Sequence, residues 1–107
     1  MREVFVAKRS EFPEGARRIV VSGDLEIGVF RRNGAFYAYR NLCAGCGESQ
    51  EGGSLKGAEL GCPGCGRRYD VRRAGRCLDD PQLHLEPIPL LVSEEGLVKI
   101  AQPSVVS

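Results

Sequence analysis

The chain has 107 residues, the size of one small domain, and its charges nearly cancel at a formal net charge of +1. This balance, without a polybasic stripe, excludes nucleic acid as an expected partner. The apolar runs are too short to span a bilayer, and the opening residues alternate like a strand instead of forming a signal peptide. We therefore expect a cytoplasmic protein that has no membrane partner and keeps its cysteines reduced.

Short strands separated by turns are predicted along the first forty residues. Three segments rich in β-branched and aromatic residues predict strands, with FPEG and SGD as turn signals between them, at residues 3–8, 17–22 and 25–30. Asn33-Gly34 predicts a tight hairpin turn because both residues accept positive φ angles, and residues 35–40 form the return strand. Together these segments predict a β-meander.

The second half of the chain also predicts strands and loops, with no helical period. A Gly-rich loop spans residues 47–57, a short strand follows it, and RRYDVRR is a further strand. The segments HLEPIPLLVS and LVKIA predict a closing hairpin, and residues 102–107 a frayed tail. The predicted fold class is all-β, with small antiparallel sheets arranged as a sandwich or partial barrel.

Two copies of the pattern Cys-x-x-Cys-Gly dominate the middle of the chain. Cys43 and Cys46 form the first pair, and Cys62 and Cys65 form the second. Two intervening residues allow both sulfurs of a pair to face one ion at about 2.3 Å, and paired motifs in a reduced chain indicate metal binding before disulfides. The sequence therefore predicts one metal centre with four cysteine ligands.

The order of elements around these motifs strongly resembles the Rieske ferredoxin domain over nearly the whole chain. The resemblance rests on the meander ending in YAYRNLC, the segment CPGCGRRYDV, the turn AGRCLDDP and the Pro-containing strand LEPIPLLV. It implies a single domain over residues 1–107, with a metal-binding loop subdomain at about residues 41–70. Rieske domains hold a [2Fe-2S] cluster with a cysteine and a histidine from each of two loops.

The ligands of this chain depart from the family pattern. By the resemblance, Cys43 and Cys62 occupy the two family cysteine positions, and Cys65 replaces the second histidine. Gly45 stands in the place of the first histidine, and the candidate ligand Cys46 follows it. A Rieske cluster needs two histidines, whereas the whole chain has one. We therefore predict a rubredoxin-like four-cysteine site on a Rieske-like scaffold.

Three occupants are compatible with four thiolates. Mononuclear iron and zinc both accept tetrahedral thiolate ligation and are favoured by the two symmetrical motifs, while an all-cysteine [2Fe-2S] cluster is the third alternative. With iron, the chain is a soluble one-electron carrier that docks on a redox protein. With zinc, it is an accessory or protein-binding domain without redox activity. Neither is an enzyme, because the sequence has no nucleophile–base arrangement, phosphate loop or cofactor fingerprint, and no small-molecule substrate is expected.

The remaining candidates are assigned mainly structural roles. Cys77 is expected to be a small buried residue and not a ligand, and His84 to be a half-exposed strand or loop residue. A group of arginines is expected to form a solvated strand face, or alternatively to favour an anionic centre: Arg67, Arg68, Arg72, Arg73 and Arg76. Three tyrosines fit core or sheet-pair positions, with one of them a candidate hydrogen-bond donor to a sulfur: Tyr37, Tyr39 and Tyr69.

Overall fold

The structure is a computed structural model that describes residues 2–23, 25–50 and 52–102. Its strands are β1 (Arg2–Lys8), β2 (Arg17–Ser22), β3 (Leu25–Arg32), β4 (Ala35–Arg40), β5 (Leu55–Lys56), β6 (Glu59–Gly61), β7 (Arg68–Asp70), β8 (Arg76–Cys77), β9 (Leu90–Val92) and β10 (Leu97–Gln102). A single 3₁₀ turn at Arg9–Glu11 is the only helical segment of the described chain. The prediction of an all-β fold is confirmed.

The strands form three small antiparallel sheets, in the orders β1-β10-β9, β2-β3-β4 and β5-β6-β7-β8. The predicted meander is correct for β2, β3 and β4 but wrong for the first strand, which pairs with β10 at the other end of the chain. The reason is the connection, because the 3₁₀ turn and the FPEG segment carry the chain away from β1 instead of folding it into a tight hairpin. The first and last strands thus close the domain together.

The predicted turn at Asn33-Gly34 is present between β3 and β4. Both residues have positive φ angles, 52° and 78°, which is the conformation that a two-residue hairpin turn requires. The carboxylate of Glu14 accepts hydrogen bonds from the amides of Asn33 at 2.8 Å and Gly34 at 2.7 Å. This turn fixes the register in which Phe30 lies opposite Tyr37.

The central sheet separates two hydrophobic clusters. On one side, its strands pack against the sheet of β1, β9 and β10, through buried residues that include Ile27, Val29, Val98 and Ile100. On the other side, they pack against the sheet of β5 to β8, through buried residues that include Phe30, Tyr39, Leu60, Tyr69, Val71 and Leu85. Cys43, Cys62 and Cys77 belong to this second cluster, so the predicted metal loops lie at its edge.

Several predicted boundaries differ from the structure. The predicted loop at residues 47–57 contains the two-residue strand β5, and the strand predicted in RRYDVRR is limited to β7. The predicted tail begins too early, because Gln102 still pairs with Arg2, and residues 103–107 lie outside the described chain. No helix in the described part of the chain has the length and apolar character needed to cross a membrane.

Candidate metal centre

The first of the two cysteine loops, here called the first knuckle, runs from Cys43 to Glu48 just after β4. The Cys43 amide donates to the Glu48 carbonyl at 2.9 Å, and the Gly47 amide donates to the Cys43 carbonyl at 3.0 Å. Gly47 has a φ of 77°, which glycine adopts without a steric penalty. The amides of Gly45 and Cys46 lie 3.4 Å from the Cys43 sulfur. The loop is therefore closed by its own backbone and directs N–H groups at the sulfur of a predicted ligand.

The second knuckle, from Cys62 to Arg67 between β6 and β7, repeats this backbone arrangement. The Cys62 amide donates to the Arg67 carbonyl at 2.8 Å, and the Gly66 amide donates to the Cys62 carbonyl at 3.0 Å. Gly66 has a φ of 80°, and the Gly64 amide lies 3.4 Å from the Cys62 sulfur. The similarity of the two motifs thus extends from residue types to hydrogen bonds.

The structure brings the four predicted ligands together. Their sulfurs all lie within 4.8 Å of one another. Two sulfur–sulfur contacts cross between the knuckles, at 3.5 Å from Cys46 to Cys62 and 3.7 Å from Cys43 to Cys65. The first cysteine of each knuckle is buried and the second is exposed. The cluster therefore has an inner pair that faces the core and an outer pair that faces solvent.

Two neutral polar side chains contact the inner pair. The hydroxyl of Tyr69 lies 3.0 Å from the Cys43 sulfur and accepts a hydrogen bond from the Ala44 amide at 3.1 Å. The fully buried side chain of Gln50 hydrogen-bonds to the Cys62 sulfur and donates to the Glu48 carbonyl at 3.2 Å. The sequence named Tyr69 among three candidates for such a role. It gave no signal for Gln50, because a glutamine in a polar, Gly-rich loop looks like a solvated residue.

The pKa values of three thiols are shifted in ways that follow from these contacts. Burial raises the pKa of Cys43, but hydrogen bonds from Tyr69 and two amides outweigh it and lower the pKa overall. Burial likewise raises the pKa of Cys62, whereas hydrogen bonds from amides and Gln50 lower it to about 6. A backbone hydrogen bond from Glu48 lowers the pKa of Cys46, but partial desolvation and hydrogen bonds with the three neighbouring thiols raise it to about 12. Four adjacent sulfurs repel each other as anions, and a bound cation relieves that repulsion.

Three of the five arginines named from the sequence have contacts that distinguish two roles. Arg68 forms a salt bridge with Asp79 at 3.0 Å, and Arg73 forms one with Asp70 at 3.7 Å, as expected for a solvated strand face. Arg67 differs, because its Nη1 donates to the Cys65 sulfur at 3.2 Å. This hydrogen bond raises the pKa of Arg67. Arg67 is thus placed for the alternative role considered from the sequence, in which an arginine favours an anionic centre.

Cys77 and His84 lie where a ligand role is not supported. Cys77 is buried, as predicted, and is outside the group of cysteines whose sulfurs converge. His84 is exposed, and its Nδ1 lies 2.9 Å from the Leu85 carbonyl oxygen. His84 and Cys43 both line a cavity of about 200 Å³, so the histidine lies nearer to the cysteine cluster than its distance along the sequence indicated.

Residues 2–92 match the family model described as "Rieske [2Fe-2S] domain". The fold and the two loops are those of a Rieske-type domain, and the chain belongs to the Rieske family. No curated protein sequence matches the chain at a significant level.

Solved structures give the same result for the fold. The ferredoxin of carbazole 1,9a-dioxygenase from Nocardioides aromaticivorans IC177 is 23% identical, with a TM-score of 0.79 over 96% of this chain and 100% of that one. A chain in the complex of reduced oxygenase and oxidized ferredoxin in carbazole 1,9a-dioxygenase is 26% identical, with a TM-score of 0.81 over 98% and 97%. Sphingomonas yanoikuyae B1 ferredoxin is 21% identical, with a TM-score of 0.76 over 95% and 100%. The family and these ferredoxins support the prediction that the chain is not itself an enzyme.

The residues at the site do not fit the cluster named in the family description. A Rieske cluster takes two histidines on one iron, and His84 is the one histidine of the chain. The positions that the resemblance assigned to those histidines hold Gly45 and Cys65. The donor set is instead four sulfurs, which suits a thiolate-bound metal centre.

Proposed function

We propose that Cys43, Cys46, Cys62 and Cys65 bind one iron ion and that the chain carries single electrons between proteins. The observation that carries this proposal is the mutual approach of the four sulfurs to within 4.8 Å. Ligands at about 2.3 Å around a tetrahedral ion lie about 3.8 Å apart, and the two sulfur contacts between the knuckles, at 3.5 and 3.7 Å, are close to that value.

The same distances favour one ion over a [2Fe-2S] cluster. In an all-cysteine [2Fe-2S] cluster each iron takes its own pair of sulfurs, and bridging sulfides hold the two irons and their pairs apart. Four sulfurs that all lie within 4.8 Å of one another do not divide into two such separated pairs. We therefore place the mononuclear centre ahead of the dinuclear one.

The choice of iron over zinc rests on the known proteins that share this fold. Zinc has the same preferred geometry but no redox chemistry, so zinc would make the site purely structural. The similar solved structures include ferredoxins, and one comes from a complex of an oxygenase with its ferredoxin. With iron bound, the four cysteines would hold a centre that can accept one electron from a reduced donor protein and pass it to an acceptor protein, with no bond formed or broken.

The exposed sulfurs of Cys46 and Cys65 support docking of both partners at this face. Electron transfer between proteins needs a short distance, and two of the four ligands reach the surface here. We propose that the partners are redox proteins that contact the two knuckles transiently.

Metal analysis and a visible spectrum of protein purified without added metal test the proposal. We expect one iron per chain, no acid-labile sulfide, thiolate-to-iron absorption bands that bleach on reduction by one electron, and recovery on reoxidation. A colourless protein with one zinc, which does not cycle after iron loading, would refute the electron carrier. Two irons with two sulfides would replace the mononuclear centre by a cluster.

A further inference from the structure

Each knuckle contributes one charged side chain that packs against a glycine of the other knuckle. Arg67 follows the second knuckle's cysteines and lies over Gly45 of the first, where an added Cβ would stand 2.7 Å from three atoms of the guanidinium group. Glu48 holds the equivalent position in the first knuckle and lies over Gly64 of the second, with its Cγ 2.7 Å from an added Cβ. The backbone arrangement is repeated, but the charge is inverted.

Gly45 is required for space and not for its backbone conformation. It is absent from the glycines with positive φ, so alanine is compatible with its backbone. The Nε, Cζ and Nη1 atoms of Arg67 are equally close to the added Cβ, which shows that the guanidinium plane lies flat against this glycine. From there Nη1 reaches the Cys65 sulfur at 3.2 Å. The glycine therefore seats the arginine beside an exposed ligand.

We propose that Arg67, seated on Gly45, sets the charge balance of the metal centre and protects its exposed ligand Cys65. The proposal rests on the proposed iron centre, whose reduction adds a negative charge to an already anionic group of thiolates. A cation in contact with a ligand sulfur stabilises the reduced form more than the oxidised form, and this raises the reduction potential. The same hydrogen bond holds the Cys65 sulfur in place as a ligand and so opposes its departure from the metal.

Arg67 is suited to this role better than its neighbours. The guanidinium of Arg68 bonds to both carboxylate oxygens of Asp79, and its charge is thereby compensated locally. Arg67 instead bonds to sulfur. The guanidinium group is planar and permanently charged, so it can pack flat against Gly45 and keep a fixed positive charge beside the sulfur.

Four variants and one double variant test the proposal on iron-loaded protein. Arg67→Gln should move the reduction potential to a more negative value, Arg67→Lys should recover part of the shift, and Arg68→Gln should change it little. Gly45→Ala keeps the positive charge of Arg67 but displaces its guanidinium group from the position against residue 45. It should therefore lower the reduction potential as Arg67→Gln does. The double variant Gly45→Ala/Arg67→Gln should have a reduction potential no lower than that of either single variant, because both substitutions remove the same contact between Arg67 and the Cys65 sulfur.

A second measurement does not depend on redox activity. Zinc-loaded Arg67→Gln should release its metal to a chelator about ten-fold faster than the wild type, with Arg68→Gln unchanged, because groups that hydrogen-bond to ligands commonly contribute about ten-fold or more to metal affinity. Equal potentials and equal release rates for Arg67→Gln and Arg68→Gln would overturn the proposal. If the wild type does not cycle but Arg67→Gln still releases zinc faster, the electron-carrier function fails and the role of Arg67 at the site stands.

Discussion

The hydroxyl of Tyr69 lies 3.0 Å from the sulfur of Cys43, and both side chains are buried. Tyr69 pairs in register with Leu60 across β6 and β7, so the sheet beneath the second knuckle positions a group that acts on the first. Burial, together with the hydrogen bond to Cys43, raises the pKa of Tyr69, and the phenol stays protonated as a donor.

Tyr69→Phe should shift the visible spectrum and lower the reduction potential of the iron-loaded protein, because one hydrogen bond to a ligand sulfur is lost. It also leaves the Ala44 amide without its partner and should reduce the free energy of unfolding by about 1–2 kcal/mol. Tyr39→Phe is the matched control, since that hydroxyl donates to the Val71 carbonyl at 2.7 Å. A potential that moves equally in both variants would contradict the assignment.

Cys77→Ala should retain the full metal content. Its side chain is buried in the second hydrophobic cluster, away from the four converging sulfurs, so we expect only a loss of packing of about 1 kcal/mol. Cys46→Ala, which removes a surface thiol, should lose most of the metal despite costing little in packing. The measurement is metal per chain after desalting, and metal loss from Cys77→Ala would show that the ligand set is wrong.

Removal of the metal by a chelator should lower the melting temperature strongly and in one cooperative step. The inner cysteines Cys43 and Cys62, which are proposed as ligands, are also members of the second hydrophobic cluster, so we expect the metal centre and this core to depend on each other. In a small domain a bound metal supplies a large part of the folding free energy. An unchanged melting curve, with the metal shown to be absent, would contradict this dependence.

Cys65→His should keep a zinc ion, because three cysteines and a histidine are an established zinc ligand set. It should not produce a Rieske signal in electron paramagnetic resonance, since that cluster needs a second histidine and Gly45 provides none. The same preparation of Cys65→Ala serves as the control and should hold less metal. A Rieske signal from the single change would mean that His84 reaches the site.

Gly53→Ala should destabilise the fold by about 1–3 kcal/mol. An added Cβ would overlap the Gly61 carbonyl oxygen, and a backbone atom cannot move aside as a side chain can. Gly52→Ala is the matched control, because nothing lies within 4 Å of its added Cβ. The measurement is urea unfolding of both variants. Equal midpoints would contradict the prediction, because they would show that the loop can move without destabilising β6.

Local patterns predicted the hairpins well, and long-range pairing much less. Asn33-Gly34 determines its turn through backbone conformation alone, so the strands on either side follow from sequence. The pairing of Phe5 with Lys99 has no local signal, because nothing in either segment distinguishes that partner from β2. The pairing partner of β1 is therefore determined by packing in the assembled core and not by local sequence.

The convergence of the four cysteine sulfurs could be predicted because the cysteine spacing and the backbone glycines determine the shape of the two knuckles. The groups around the ligands could not be assigned in the same way. Arg67 stands in a run of arginines that look alike in the sequence, and it is singled out only by the space above Gly45 in the folded chain. Gln50 is likewise recognised only by its burial.

The division of the site into an inner and an outer pair has a consequence for the lifetime of the protein. Cys46 and Cys65 are exposed where electrons are proposed to pass, and peroxide can approach by the same face. Thiolates that are accessible oxidise first, and beyond the sulfenic acid stage common reductants do not restore them. Ageing of this protein should therefore begin at the second cysteine of each knuckle, with the buried sulfurs still intact when the ion is lost.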